Sequence, residues 1–193
     1  MREQIQELQK LEDFKRVYRV FSGPPYNEKY TEEELEEIFI KYQQTGYLYG
    51  AYTQDGCVGL IALERGRQEG QPVSFEGEKV MYLADVAVLG EYRRKGVGNQ
   101  LMLYGVMQSK QLGYDRLYMR TLETGSMSYG IARRIGFQQI PGAQQGVERE
   151  RVSGVSETMQ NIFLEIDLRA LKREDMKAGI QMASPKQVEM ERE

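Results

Sequence analysis

Histidine and tryptophan are absent from the 193 residues, and cysteine occurs once, at Cys57. Without histidine there is no Ser-His-Asp or Cys-His nucleophile pair, and no zinc site built from His and Cys. A single cysteine permits no disulfide within the chain. Acid–base chemistry is left to Asp, Glu, Tyr, Lys, water or the backbone, and no metal is expected. Proline is scarce, and the pair Pro24-Pro25 marks a break between helices. No apolar run approaches the roughly 20 residues a membrane helix needs. The N-terminus, MREQIQELQKLEDF, is charged and lacks a signal-peptide apolar region, so a cytoplasmic location and no membrane partner are expected. The net charge of -3 gives no general attraction to nucleic acid, which is excluded as a partner.

What is present is an ordinary globular composition, 40% apolar and 28% charged. We expect one domain over residues 1–168 and a charged helix or arm over 169–193, able to pack on a second copy as a homodimer.

Periodicity orders the elements. Glu3–Leu8 is read as a short strand. Leu11, Phe14, Val17, Tyr18 and Phe21 share a helical face. Thr31 and Glu34 fit a capping box opening a second helix, whose buried stripe is Leu35, Ile38, Phe39 and Tyr42 and which Gly46 stops. Tyr47–Thr53 and Cys57–Leu63 flank Asp55-Gly56 as a hairpin. Arg65–Glu78 is a polar loop. Val80–Val88 is long and apolar enough for a buried strand, and a helix from Val97 ends at Gly113. Arg116–Thr121, reached through that helix, is a strand parallel to Val80–Val88. Met127, Ile131 and Ile135 mark a helix ending at Gly136, and Phe137–Ile140 starts a strand. Gly142–Ser156 is read as a polar loop and Met159–Leu168 as the last strand. The order β-α-α-β-β-β-α-β-α-β-β is α/β with a mixed sheet.

The chemistry concentrates in Val80–Gly113. After the strand comes the basic run Arg93-Arg94-Lys95, then Gly96-Val97-Gly98 opening the helix. Backbone N–H groups of such a turn converge at the positive end of the helix dipole, a place that binds phosphate. Glycine at 96 and 98 lets backbone approach a ligand closely. A dinucleotide fold would want a third glycine, and Leu101 holds that position.

Arg93-x-x-Gly96-x-Gly98, after Val86-Ala87-Val88, resembles the acetyl-CoA signature of the GCN5-related N-acetyltransferases (GNAT). Tyr92-Arg93 and the Gly136-Phe137 pair fit the same family, as does the two-helix start with Pro24-Pro25-Tyr26 between the helices. The resemblance covers about residues 1–168. It implies the GNAT fold, in which the central strand bulges and splays from its parallel neighbour. The pantetheine arm of acetyl-CoA would pair with backbone near Val86 and Val88. Its phosphates would lie on residues 93–98, with Arg94 and Lys95 on the adenosine side. The acceptor, a small-molecule or peptide amine, would sit near Pro24, Pro25 and Tyr26.

The resemblance also exposes a departure. Many family members place a tyrosine four residues before the glycine of the Gly-Phe pair, where it protonates the departing thiolate; here that position is Ala132. Tyr129, one helical turn away, is the substitute acid or else a packing tyrosine, with Ser126 and Ser128 lesser candidates. For a base, Asp85 interrupts an apolar strand, where an acid costs energy unless paired or functional. It either faces the substrate through a bulge or bonds a neighbouring tyrosine or backbone group. Glu123 is the alternative, orienting a cationic acceptor. Cys57 is read as packing, and the Glu32–Glu37 cluster as a solvated helix start. The expected activity is direct acetyl transfer to a primary amine. The alternative is a non-catalytic acyl-CoA-binding or regulatory module on the same fold.

Overall fold

A computed structural model describes residues 4–23, 26–122, 127–150 and 156–171. Its elements in chain order are β1 (Gln4–Glu7), α1 (Leu11–Tyr18), a 3-10 turn (Arg19–Ser22), α2 (Glu32–Thr45), β2 (Gly46–Thr53), β3 (Gly56–Arg65) and β4 (Val80–Val88). After a short 3-10 turn at Gly90–Tyr92 come α3 (Val97–Gln111), β5 (Arg116–Leu122), α4 (Met127–Ile135), β6 (Gln138–Glu150) and β7 (Ser156–Asp167). The strands form one seven-stranded sheet in the order β1-β2-β3-β4-β5-β7-β6. All neighbours are antiparallel except β4 and β5, whose connection runs through α3. The element order and mixed sheet expected from periodicity are therefore present.

Local chemistry explains the helix ends. Thr31 Oγ1 accepts from the Glu34 N–H at 3.1 Å, and the Glu34 carboxylate accepts from the Thr31 N–H at 2.7 Å. That reciprocal pair satisfies two donors the first turn of α2 leaves open. Gly113, at φ 75, lies just past Leu112, the residue that caps α3.

One expectation is corrected. Gly142–Glu150 is strand rather than polar loop: β6 runs through Gln138–Glu150 and pairs with β7 from Gln138↔Glu165 to Glu150↔Ser156, while residues 151–155 lie outside the described residues. The register shifts between Gln139 and Gln144, so the chain breaks step and resumes. The polar residues that suggested a loop are those of an edge strand with one face in water.

Both faces of the sheet are covered. Against one, α3 and α4 bury Val97, Leu101, Met102, Val106 and Ala132 with Met81, Leu83, Leu117 and Met119. Against the other, α1 and α2 bury Phe14, Val17, Tyr18, Leu35, Phe39 and Tyr42 with Leu60, Ala62 and Ala87. Val73 and Phe75 of the β3–β4 loop cover Tyr82, Tyr118 and Phe163 on that second face. Among the described residues, no helix is long and apolar enough to cross a membrane.

Candidate active site

The site grows from the middle of β4. Its pairing with β5 runs from Val80↔Arg116 to Leu83↔Met119 and stops. β4 continues beside β3 to Val88↔Gly59, and β5 continues beside β7 to Leu122↔Asn161. The parallel pair therefore splays at its C-terminal end. The cause is in the register: Leu63 pairs with Leu83 and Ala62 with Asp85, leaving Ala84 as an extra residue on β4. Such a bulge bends and twists its strand. Val86 and Val88 then lean on the α3–α4 core while Ala87 joins the α1–α2 core.

The turn between β4 and α3 has the backbone of an anion cradle. Arg94 takes φ 61 and Gly96 takes φ 93, left-handed conformations that turn successive N–H groups inward. Gly96 accepts the first helical bond, from Gln100 N–H at 3.0 Å, and the N–H groups of Val97, Gly98 and Asn99 have no partner within the helix. A Cβ on Gly98 would lie 3.5 Å from Ile131 Cδ1 and 3.8 Å from Val88 Cγ2, so a larger side chain would fill the space between helix and strand. Arg93 is committed locally, its Nε donating to the Val88 carbonyl at 3.2 Å. Arg94 and Lys95 are exposed, with the Lys95 ammonium 5.2 Å from the Tyr92 ring centre. Tyr92 donates to the Asp55 carboxylate, and Arg16 Nη1 donates to the Asp55 carbonyl at 2.7 Å, tying the turn to the β2–β3 hairpin. These residues fit a pyrophosphate-bearing ligand with an extended amide arm: N–H groups converge at one end of a gap whose wall is unpaired backbone.

Asp85 lies on the opposite side of β4, toward α1 and α2. Its Oδ2 accepts from Tyr18 OH at 2.8 Å and from Tyr42 OH. Removal from water raises the carboxyl's pKa above its ordinary value, against the two tyrosine bonds that lower it. Both tyrosines are pushed well above the ordinary tyrosine value, first by burial and then by the Asp85 charge. Glu64, 3% exposed on the same face, is held by the Lys41 ammonium at 2.7 Å and pushes Asp85 further up, while Arg120 on β5 pulls it down. Sequence reading singled out Asp85 and offered a tyrosine as one possible partner, which the structure bears out, but it did not name Tyr18 or Tyr42. It placed both in helical core stripes, whose period reports burial and says nothing of where a hydroxyl ends.

On α4, Tyr129 is half-buried and packs on the α3–α4 core. Ser128 and Thr121 oxygens lie 3.0 Å apart. Ala132 is fully buried. Tyr26 packs edge-on against Phe21 at 5.1 Å between ring centres. Pro24, Pro25, Glu123, Ser126 and residues 172–193 lie outside the described residues. Cys57 is buried and its thiol is pushed up to about 11, mainly by burial, so it is a packing residue and no nucleophile. Among the described residues, no group of three or more His, Cys, Asp or Glu is placed to hold a metal ion.

Comparison with known proteins agrees with this geometry. A profile described as the acetyltransferase (GNAT) family matches residues 11–137. An uncharacterized N-acetyltransferase of Escherichia coli (strain K12), YjgM, is 25% identical over 109 residues, covering 55% of this chain and 60% of its own length. The crystal structure of an N-acetyltransferase from Staphylococcus aureus Mu50 superposes with a TM-score of 0.66 at 16% identity, over 87% of this chain and 99% of that one. A GNAT superfamily phosphinothricin acetyltransferase from Sinorhizobium meliloti, solved with acetyl-CoA, gives 0.66 at 14% identity over 86% and 89%. At these identities the structures speak for the fold.

Proposed function

This chain belongs to the acetyltransferase (GNAT) family, and from that premise we propose that it transfers an acetyl group from acetyl-CoA to a primary amine of a peptide or small molecule. One observation carries the reading: the β4–β5 pair opens after Leu83 and Met119, and the open end leads into the left-handed turn at Arg94–Gly96. A splayed pair leaves backbone groups to satisfy, and the amides of pantetheine suit the backbone near Val86 and Val88. The pyrophosphate suits the N–H groups of residues 94–98, with Arg94 and Lys95 meeting the outer phosphates.

Acetyl-CoA supplies the activated acyl group as a thioester. The amine nitrogen attacks the thioester carbonyl, a C–N bond forms and the C–S bond breaks. The amine gives up a proton and the thiolate takes one. Asp85, its pKa raised by burial and its carboxylate steadied by Tyr18 and Tyr42, is the group we assign to take the amine's proton, directly or through water. Tyr129 is assigned to protonate the thiolate. No enzyme nucleophile is required, in keeping with the missing histidine and the buried thiol.

A second reading, a coenzyme-binding module without turnover, is favoured by Ala132, fully buried where many family members carry the acidic tyrosine. Thiol release from acetyl-CoA across a panel of amines, run beside calorimetric binding, separates the two. Binding with amine-dependent thiol release supports the transferase, and binding with no release on any amine supports the module. Absence of acetyl-CoA binding overturns both.

A further inference from the structure

A cavity of about 480 Å³ opens at the start of β4, and acetyl transfer makes no use of it. The β3–β4 connection lines it together with Arg65, Val80 and Tyr114. At about 3.3 Å per residue, Val80 and Val88 stand about 26 Å apart along the strand, so the cavity and the Arg94–Gly96 turn are separate places. The connection, residues 66–79, holds no helix or strand. Loops of that length are uncommon in a packed domain and are usually functional. This one is held in shape: Gly66 N–H donates to the Val80 carbonyl at 2.9 Å, Gln68 N–H donates to the Tyr118 hydroxyl at 2.8 Å, and Val73 is buried against the sheet.

The lining is positive because the nearby carboxylates are engaged elsewhere. Arg65, Arg67 and Lys79 carry its cations, and among the described residues none of them has a carboxylate partner. Each donates to a backbone carbonyl instead: Arg65 to Gln44 at 3.2 Å, Arg67 to Gln71 at 3.0 Å and Lys79 to Leu112 at 3.2 Å. Such bonds aim a side chain and leave its charge uncompensated. Glu64 is held by Lys41, Asp115 accepts from the Lys79 backbone N–H, and Glu78, which lines the cavity, is held by Arg116 and Arg169. Glu76, exposed, is the one uncommitted carboxylate of the lining. Three cations against it leave about two positive charges, and a phosphate monoester carries about -1.5 to -2 at pH 7. Beside the cations the lining is apolar: Val80, half-buried Phe75 and Tyr114. That surface suits a flat ring.

We propose that this cavity is a second ligand site, distinct from the coenzyme site, and that it takes a nucleoside monophosphate. The phosphate lies on Arg65, Arg67 and Lys79, and the base lies against Phe75, Val80 and Tyr114. The volume is at the small end of the range of about 300–1,000 Å³ for ligand pockets, room for a single nucleotide. The proposal does not depend on acetyl transfer, since it shares no residue with the splayed gap or the glycine turn.

The test is calorimetric binding of adenosine 5′-monophosphate to the full chain saturated with acetyl-CoA, which occupies the coenzyme site. Adenosine supplies the ring without the charge, and ribose 5-phosphate the charge without the ring. The nucleotide is expected to bind at least about tenfold more tightly than either. Arg67→Gln and Lys79→Gln alter exposed side chains. Each should weaken the nucleotide by about tenfold and leave Tm and acetyl-CoA affinity unchanged. No nucleotide binding, equal binding of ribose 5-phosphate or of adenosine, or wild-type affinity in both variants would overturn the site. So would displacement of the nucleotide by acetyl-CoA, which would place it at the glycine turn. If acetyl-CoA itself does not bind, the transfer reading fails by itself, and the two variants still decide the second site.

Discussion

Val80–Leu83 and Ala84–Val88 are halves of one apolar strand, yet the first is paired with strands on both sides and the second only with β3. The first half is buried throughout, while most of the second is half-buried. A run of Val, Leu, Ala and Met reads alike over both. The difference is one extra residue, Ala84, which shifts the register, and a neighbour, β5, that turns away to stay with β7. The paired half contributes stability. The open half carries free backbone, Asp85 and the approach to the Arg94–Gly96 turn, so the proposed site lies where the sheet is left incomplete.

The largest expected break between the halves is at Asp85. Asp85→Asn should cut kcat by about 100-fold or more while acetyl-CoA affinity, by calorimetry, stays near wild type. A kcat within threefold of wild type would remove Asp85 from the proton path. Tyr129→Phe should act on kcat in the same direction, and a mild effect would return Tyr129 to packing.

Met81→Ala in the paired half opens a cavity in the core and should cost about 2–5 kcal/mol of stability, measured by urea unfolding, with coenzyme affinity kept. Val88→Ala in the open half should do the reverse, costing about 1 kcal/mol or less while weakening acetyl-CoA several-fold. If both variants lose stability equally and neither alters binding, the division of the strand is wrong. Gly98→Leu, which fills the space beside Ile131 and Val88, should weaken acetyl-CoA by about 30-fold, about 2 kcal/mol.

A pH series sharpens the contrast further. Asp85 binds its proton more tightly in the folded state than at the unfolded value of about 3.9. Its contribution to stability is therefore full below about pH 4 and falls as pH rises through the raised folded value. Asp85→Asn abolishes that decline, so the variant should gain stability relative to wild type as pH rises above about 4. Smallest of all, Thr31→Ala removes the side-chain cap of α2. It should cost about 1 kcal/mol of stability with no change in turnover.

Much of this was legible beforehand because it rests on local rules. Val80–Val88 was read with the bounds the structure has, Met127, Ile131 and Ile135 marked the helix that became α4, and Thr31 with Glu34 announced the start of α2. Arg93-x-x-Gly96-x-Gly98 announced the tight turn that opens α3. The start of β6 was read at Phe137–Ile140, but its continuation past Gly142 was missed because an edge strand shows one face to water, and its Gln, Gly and Glu residues carry the composition of a loop. Tyr18 and Tyr42 were read only as core, because helical period reports the buried side of a helix and cannot say that two hydroxyls meet one carboxylate 67 and 43 residues along the chain.

The sequence by itself determined the helices, most strands, the glycine turn before α3 and the family, because short-range periodicity, capping and glycine stereochemistry act within a few residues. Only the tertiary structure decided where the sheet opens and what Asp85 bonds to. Those are matters of register and of contacts between distant segments. A one-residue slip such as the bulge at Ala84 costs little locally and changes which partner every later residue of the strand can meet.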